Sequence, residues 1–199
     1  MNTPQRDFVF PDSLPRRGNA FSRWLGRTFL RLSGWRCQLD FPDVSKLVIV
    51  GAPHTSNWDA VWAIAFILAT GLDIRFMAKA EVFSSWGGWF MRAVGGIPVI
   101  RQSPVGLVDQ MVAEFRNRDK FVLVLAPEGT RKKVDRWKNG FYRIAQAADV
   151  PIVLGYLDYA KRIVGIGPTF ATTGDMDADI AAMRAYLESH VTPRHPSRV

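Results

Sequence analysis

The sequence predicts an α/β fold, with a largely parallel or mixed central sheet flanked by helices, and three observations carry that prediction. Residues 47–51, 97–100, 121–125 and 151–154 form short runs that are apolar throughout rather than alternating, as expected of strands buried on both faces. Residues 105–116 and 141–148 between them have helical periodicity, which gives the alternation of strand and helix found in covered sheets. The first and third runs end in Gly51-Ala52-Pro53 and Ala126-Pro127-Glu128-Gly129. These turn residues put loops at the carboxyl ends of strands, where folds of this class tend to place their ligands.

From the N-terminus, residues 1–18 carry Asp7, Asp12 and several Pro and Arg residues but no apolar signal core, and are expected to be a mature arm rather than an export signal. Residues 21–35 read as an amphipathic helix. Phe21, Trp24, Leu25, Phe29, Leu32 and Trp35 fall within one arc, Arg23, Arg27 and Arg31 stack opposite, and Leu30 is the one apolar residue outside the arc. Two readings stay open: a helix lying in a lipid interface, or a surface helix whose apolar arc covers the domain's own core. The organisation expected is therefore residues 1–40 as arm and membrane-interface helix, and residues 41–199 as the main domain.

A helix should begin near Asn57 or Trp58. Its apolar stretch, residues 60–72, is about 13 residues long, short of the roughly 20 needed to span a bilayer. The stretch 175–189 is expected to be a helix capped by Asp175 or Asp177 and closed before Pro193, with a polar, loose tail after it.

Net charge is +8 and the chain holds seven Trp. Positive charge draws anionic partners, and Trp favours surfaces that are apolar on one side and wet on the other, so an anionic membrane surface is the expected partner. Arg116, Arg118, Lys120, Arg131, Lys132, Lys133, Arg136, Lys138 and Arg143 outnumber Asp119, Glu128 and Asp135 within one stretch. No nucleic-acid recognition motif accompanies the charge, and no nucleic acid is expected. The single Cys37 can form no internal disulfide. Peripheral residence at the cytoplasmic, inner membrane surface is the resulting expectation.

Of three histidines, His190 and His195 lie near the C-terminus, leaving His54 in a turn after a buried strand. Asp59 follows in His54-Thr55-Ser56-Asn57-Trp58-Asp59. Five residues apart on one helix the two would lie about 140° apart and could not meet. They can meet if His54 is in the turn and Asp59 in the first helical turn. The carboxylate then accepts from one ring nitrogen and leaves the other as a base, with a substrate hydroxyl where the serine of a Ser-His-Asp triad would be. The alternative is a His54 that only caps the helix and an Asp59 that only complements its dipole. Equally, Pro127-Glu128-Gly129 taken alone is a tight turn, and Arg101 alone a solvated residue after a strand. No ligand set for a metal is present, and no metal or cofactor is expected.

The order of segments resembles a known family. His54 to Asp59, then Ala78-Lys79-Ala80-Glu81-Val82-Phe83, Gly95-Gly96-Ile97-Pro98-Val99-Ile100-Arg101, Ala126-Pro127-Glu128-Gly129-Thr130-Arg131 and Val150-Pro151-Ile152-Val153 are similar to the consecutive motifs of the glycerolipid acyltransferases, above all the 1-acyl-sn-glycerol-3-phosphate acyltransferases. The resemblance covers residues 47–155 and implies a glycerol-3-phosphate acyltransferase-like fold. It implies His54 as general base and Asp59 as its partner, with acyl-CoA or an acyl carrier protein thioester as co-substrate. The acceptor it implies is a lysophospholipid, 1-acylglycerol-3-phosphate first, with an aminolipid or another lysolipid as the alternative and a non-catalytic lipid-binding protein as the rival. Arg101 and Arg131 would then hold a phosphate, Glu128 would sit near the acceptor's hydroxyls or order the loop, and Gly129 would let the backbone approach. Thr130 and Lys79 are further candidates for that pocket. The family commonly has Phe where this chain has Ala126, and the smaller side chain is expected to widen the acceptor pocket.

Overall fold

The computed structural model describes residues 8, 10–84, 86–99 and 104–198. Arg101 and the first seven residues of the predicted arm lie outside them. Seven strands among the described residues form one sheet in the order β1-β7-β6-β2-β5-β3-β4: β1 Arg36–Gln38, β2 Lys46–Gly51, β3 Ile74–Lys79, β4 Gly96–Val99, β5 Phe121–Leu125, β6 Ile152–Asp158 and β7 Ile163–Phe170. All neighbours are parallel except β6 and β7, which form an antiparallel hairpin. The sheet is thus mixed and largely parallel.

β1, β3 and β7 have no counterpart among the four apolar runs. β1 is a three-residue edge strand with two exposed residues, β3 carries Arg75 and Lys79, and β7 is broken by Gly165, Gly167 and Pro168, so none shows a continuous apolar signal.

Inside β2, alternate side chains enter two cores. Leu47 and Ile49 pack with Trp62, Phe66 and Ile67, while Val48 and Val50 pack with Phe115, Phe141 and Ile144. The period of two along a strand covered on both faces produces this split. On one side lie α1 (Ala20–Leu32) and α2 (Trp58–Thr70); on the other lie α5 (Pro104–Arg116), α6 (Gly140–Ala148) and α7 (Met176–His190). Two short helices, α3 (Ala80–Ser84) and α4 (Gly88–Ala93), bridge β3 to β4. They fall in a region with no helical period long enough to read. Among the described residues no helix is long and apolar enough to cross a membrane.

The orientation of α1 bears on the core-covering reading of its apolar arc. Asn19 closes a capping box with Ser22, and the buried residues are Gly26 and Leu30, the latter fully so. A Cβ on Gly26 would stand 2.4 Å from the Ala69 backbone nitrogen, so only glycine lets α1 and α2 approach this closely. The helix docks by its smallest strip, and Leu30 is the residue that faces the core. Phe21, Trp24, Leu25 and Leu32 are left exposed, Leu32 at 83%. Most of the arc does not cover the domain's own core: of its members only Trp35, beyond the helix end, is buried, and Phe29, 40% exposed, rests on Trp62.

The tail also departs from expectation. Residues 192–198 fold back across the molecule: Tyr159 N–H donates to Thr192 O at 2.8 Å, His195 N–H to Thr55 Oγ1 at 3.3 Å, and the Arg198 guanidinium to Thr55 O at 2.9 Å. Its polar composition, read as looseness, instead supplies donors for a loop far away in sequence.

Candidate active site

β6, β2 and β5 are adjacent and parallel, with Gly51 opposite Gly155 and Val50 opposite Leu125. Their carboxyl ends therefore release three chain segments side by side: Tyr159 after β6, the 52–57 turn after β2, and the 126–131 turn after β5. This convergence brings together residues far apart in sequence.

His54 lies in the turn and Asp59 in the first turn of α2. His54 Nδ1 stands 3.1 Å from Asp59 Oδ2. The same Oδ2 accepts the N–H groups of Thr55 and Ser56, both at 2.8 Å, and Oδ1 accepts the Tyr159 hydroxyl at 2.6 Å. Asp59 is 5% exposed. Burial alone would raise its carboxyl, but the bonds from His54, Tyr159 and Ser56 outweigh that and hold it below the ordinary aspartate range. An ionised carboxylate only accepts, so Nδ1 carries a hydrogen, and the lone pair of a neutral ring would lie on Nε2.

Because that carboxyl is depressed, Asp59 contributes stability that is full above the unfolded aspartate value near ~4 and lost as pH falls through the folded one. Denaturant titrations of the wild type and Asp59→Asn should show a stability gap at pH 7 that closes on acidification below pH ~4. A gap constant from neutral to acid pH would sink this account.

Glu128 Oε2 accepts the His54 N–H at 2.8 Å. That bond joins the 126–131 turn to the histidine turn. Burial pushes the Glu128 carboxyl up, opposed by that backbone bond. Arg131 donates to Asn57 Oδ1, which ties the 126–131 turn to the histidine turn. Gly129 adopts φ +63°, a left-handed conformation in which a side chain would be strained. Thr130 Oγ1 accepts the Lys132 N–H at 3.3 Å. Lys79 closes β3 opposite Val99; β4 ends there, two residues before Arg101.

Of the amides near His54 and Gly129, the candidates for stabilising a developing oxyanion, four are bonded within the protein. Those of His54, Thr55 and Ser56 bond carboxylates, and that of Gly129 bonds Ala126 O at 3.2 Å.

His54, Asp59 and residues 129–133 are among the residues that line a cavity of about 1070 Å³ between α2 and the sheet. Its body is apolar, formed by Ile49, Ile67, Phe76, Met91, Val124 and Ile166, and Arg198 also reaches it. Ala126, where the family commonly has Phe, is on its wall. Among the described residues no group of three or more His, Cys, Asp or Glu is placed to hold a metal.

Sequence reasoning missed Tyr159, Asn57 and Arg198. Asn57 could have been found, since it lies within the histidine segment. Tyr159 and Arg198 carry no local signal, because their partners are 100 and 143 residues away.

Comparison with known proteins adds three findings. A family model described as Acyltransferase matches residues 38–154. A curated 1-acyl-sn-glycerol-3-phosphate acyltransferase from Streptococcus pneumoniae is 32% identical over 113 residues, which is 56% of this chain and 42% of that protein. The chain thus matches less than half the length of that relative. The crystal structure of a 1-acyl-sn-glycerophosphate (LPA) acyltransferase, PlsC, from Thermotoga maritima is similar with a TM-score of 0.56 at 18% identity, covering 86% of this chain and 75% of that one. At that identity the likeness shows the fold.

Proposed function

Since the chain belongs to the Acyltransferase family, we propose that it moves a fatty acyl group from an acyl-CoA or acyl carrier protein thioester to a hydroxyl of a lysophospholipid, with 1-acylglycerol-3-phosphate as the acceptor. The observation that carries this reading is the His54–Asp59 contact of 3.1 Å at the wall of a cavity with an apolar body and a cationic rim. Neutral His54 takes the proton of the acceptor hydroxyl through Nε2 as the oxygen attacks the thioester carbonyl. Asp59 stabilises the imidazolium. Collapse of the tetrahedral intermediate expels the thiolate, which takes that proton and leaves as the thiol.

Arg131, Lys132 and Lys133 supply positive charge for the acceptor phosphate, and the apolar body takes an acyl chain. These side chains also offset the charge that develops on the carbonyl oxygen. The exposed arc of α1 seats the protein on an anionic lipid surface. Phe29 packs on Trp62 and Trp62 on Trp58, with ring centroids 5.5 and 6.4 Å apart, so the apolar surface runs from α1 to the start of α2, beside the histidine turn. Trp86 and Trp89 of the α3–α4 segment, 92% and 65% exposed, add a second contact.

Incubation with each thioester donor and a panel of acceptors, with products identified by mass, tests the reading. The expected result is a diacylated phospholipid, with 1-acylglycerol-3-phosphate used at least about tenfold faster than 1-acylglycerol, the difference that losing a charge-assisted phosphate contact would cause. Equal use of the two would remove the role assigned to the cationic rim. Absence of transfer to every acceptor would remove the enzyme.

A further inference from the structure

We propose that Tyr159 is a positioning residue for the acid–base pair: its hydroxyl holds Asp59 Oδ1, so that Oδ2 stays on the imidazole of His54. The inference rests on the assignment of His54 as the base, and it concerns a residue beyond the segment matched by the family model.

Asp59 has two oxygens with different duties. Oδ2 carries three donors, the His54 ring and the amides of Thr55 and Ser56. Oδ1 is held by the Tyr159 hydroxyl at 2.6 Å, a length typical of a strong bond to a carboxylate. Rotation of the carboxyl about its terminal bond would exchange the two oxygens and lift Oδ2 off the ring. The bond to Tyr159 opposes that rotation from the far side. Burial and the neighbouring carboxylate keep the phenol protonated, well above its ordinary range, so it remains a donor.

The tyrosine can fix another group because it is itself fixed. Its ring meets Trp35 edge-on at 5.1 Å, and Trp35 stacks on Trp62 of α2 at 4.3 Å. The Arg194 guanidinium lies 5.8 Å from the Tyr159 ring and 5.3 Å from Trp58. The Tyr159 N–H donates to Thr192 O at 2.8 Å. The β6–β7 turn that carries it is closed by Asp158, whose oxygens take the Lys161 N–H and ammonium, each at 3.0 Å. The ring and backbone contacts survive removal of the hydroxyl, so Tyr159→Phe removes only what the phenol oxygen makes: the bond to Asp59 and its contact with the Arg194 side chain.

Small errors in catalytic geometry cost up to about 100-fold in rate, and loss of one orienting bond should cost less. Tyr159→Phe is expected to lower kcat about tenfold with KM for donor and acceptor unchanged. On an Asp59→Asn background, read by single-turnover transfer of a labelled acyl chain, the same substitution should change the remaining rate less than about twofold, because its effect runs through the carboxylate. Wild-type kcat in Tyr159→Phe overturns the proposal. So does an equal loss on both backgrounds, the mark of a general loosening of the turn, or a raised KM at unchanged kcat, the mark of a substrate contact. An inactive wild type would instead refute the assignment of His54 and the reaction itself.

Discussion

Replacing His54 with alanine is expected to lower kcat for acyl transfer about 1000-fold and to lower the melting temperature by only a few degrees, the cost of one donor lost from Asp59. The two halves of that expectation come from different atoms. The turn is held by backbone groups: the His54 N–H on Glu128 and the Thr55 and Ser56 N–H groups on Asp59. None of these needs the imidazole. The side chain is 29% exposed at a cavity wall, so its removal leaves no sealed void. Chemistry, by contrast, loses the base assigned to it, and the acceptor hydroxyl must surrender its proton to water. KM should hardly move, since the ring is not asked to bind either substrate. Transfer within tenfold of wild type would end the mechanism, and a large drop in melting temperature would show that the imidazole also holds the fold.

That division explains which parts of the molecule were legible in the sequence. His54 and Asp59 are close in the chain, and the geometry of one turn is enough to require that the histidine lie off the helix. β2 and β5 announced themselves because strands buried on both faces must be apolar throughout. β3 and β7 hid because their neighbours permit charges and glycines. Tyr159 illustrates the deeper limit. Nothing around it distinguishes it from a turn tyrosine, and its role exists only because β6 and β2 are parallel neighbours whose carboxyl ends open on the same edge. Residues 192–198 looked loose for the same reason, since the Thr55 groups they bond come from another part of the chain. Local pattern reports what a segment needs to bury, whereas a site assembled from strand ends is a property of topology.

In α1 the pattern was legible but its direction was not, and the direction sets the second large effect. Changing Phe21, Trp24 and Leu32 together to serine should weaken partitioning onto anionic vesicles about 100-fold. Each side chain stands free of the core, and seating it at headgroup depth is worth ~1 kcal/mol, somewhat less than full burial. Three such terms give the quoted factor, because 1.4 kcal/mol is tenfold. The fold should survive, since docking on α2 runs through Gly26 and Leu30 and the substituted residues lie on the opposite side. Salt separates the two contributions to binding. The attraction of the protein's exposed cations to anionic lipid is screened over about 3 Å at 1 M salt, whereas the apolar contribution is not. Wild-type protein should therefore keep most of its vesicle binding at 1 M salt, while the triple variant, left with charge and the Trp86–Trp89 contact, should lose most of what remains. Unchanged partitioning of the variant at low salt would place the lipid contact elsewhere on the molecule and return the arc of α1 to a partner of another kind.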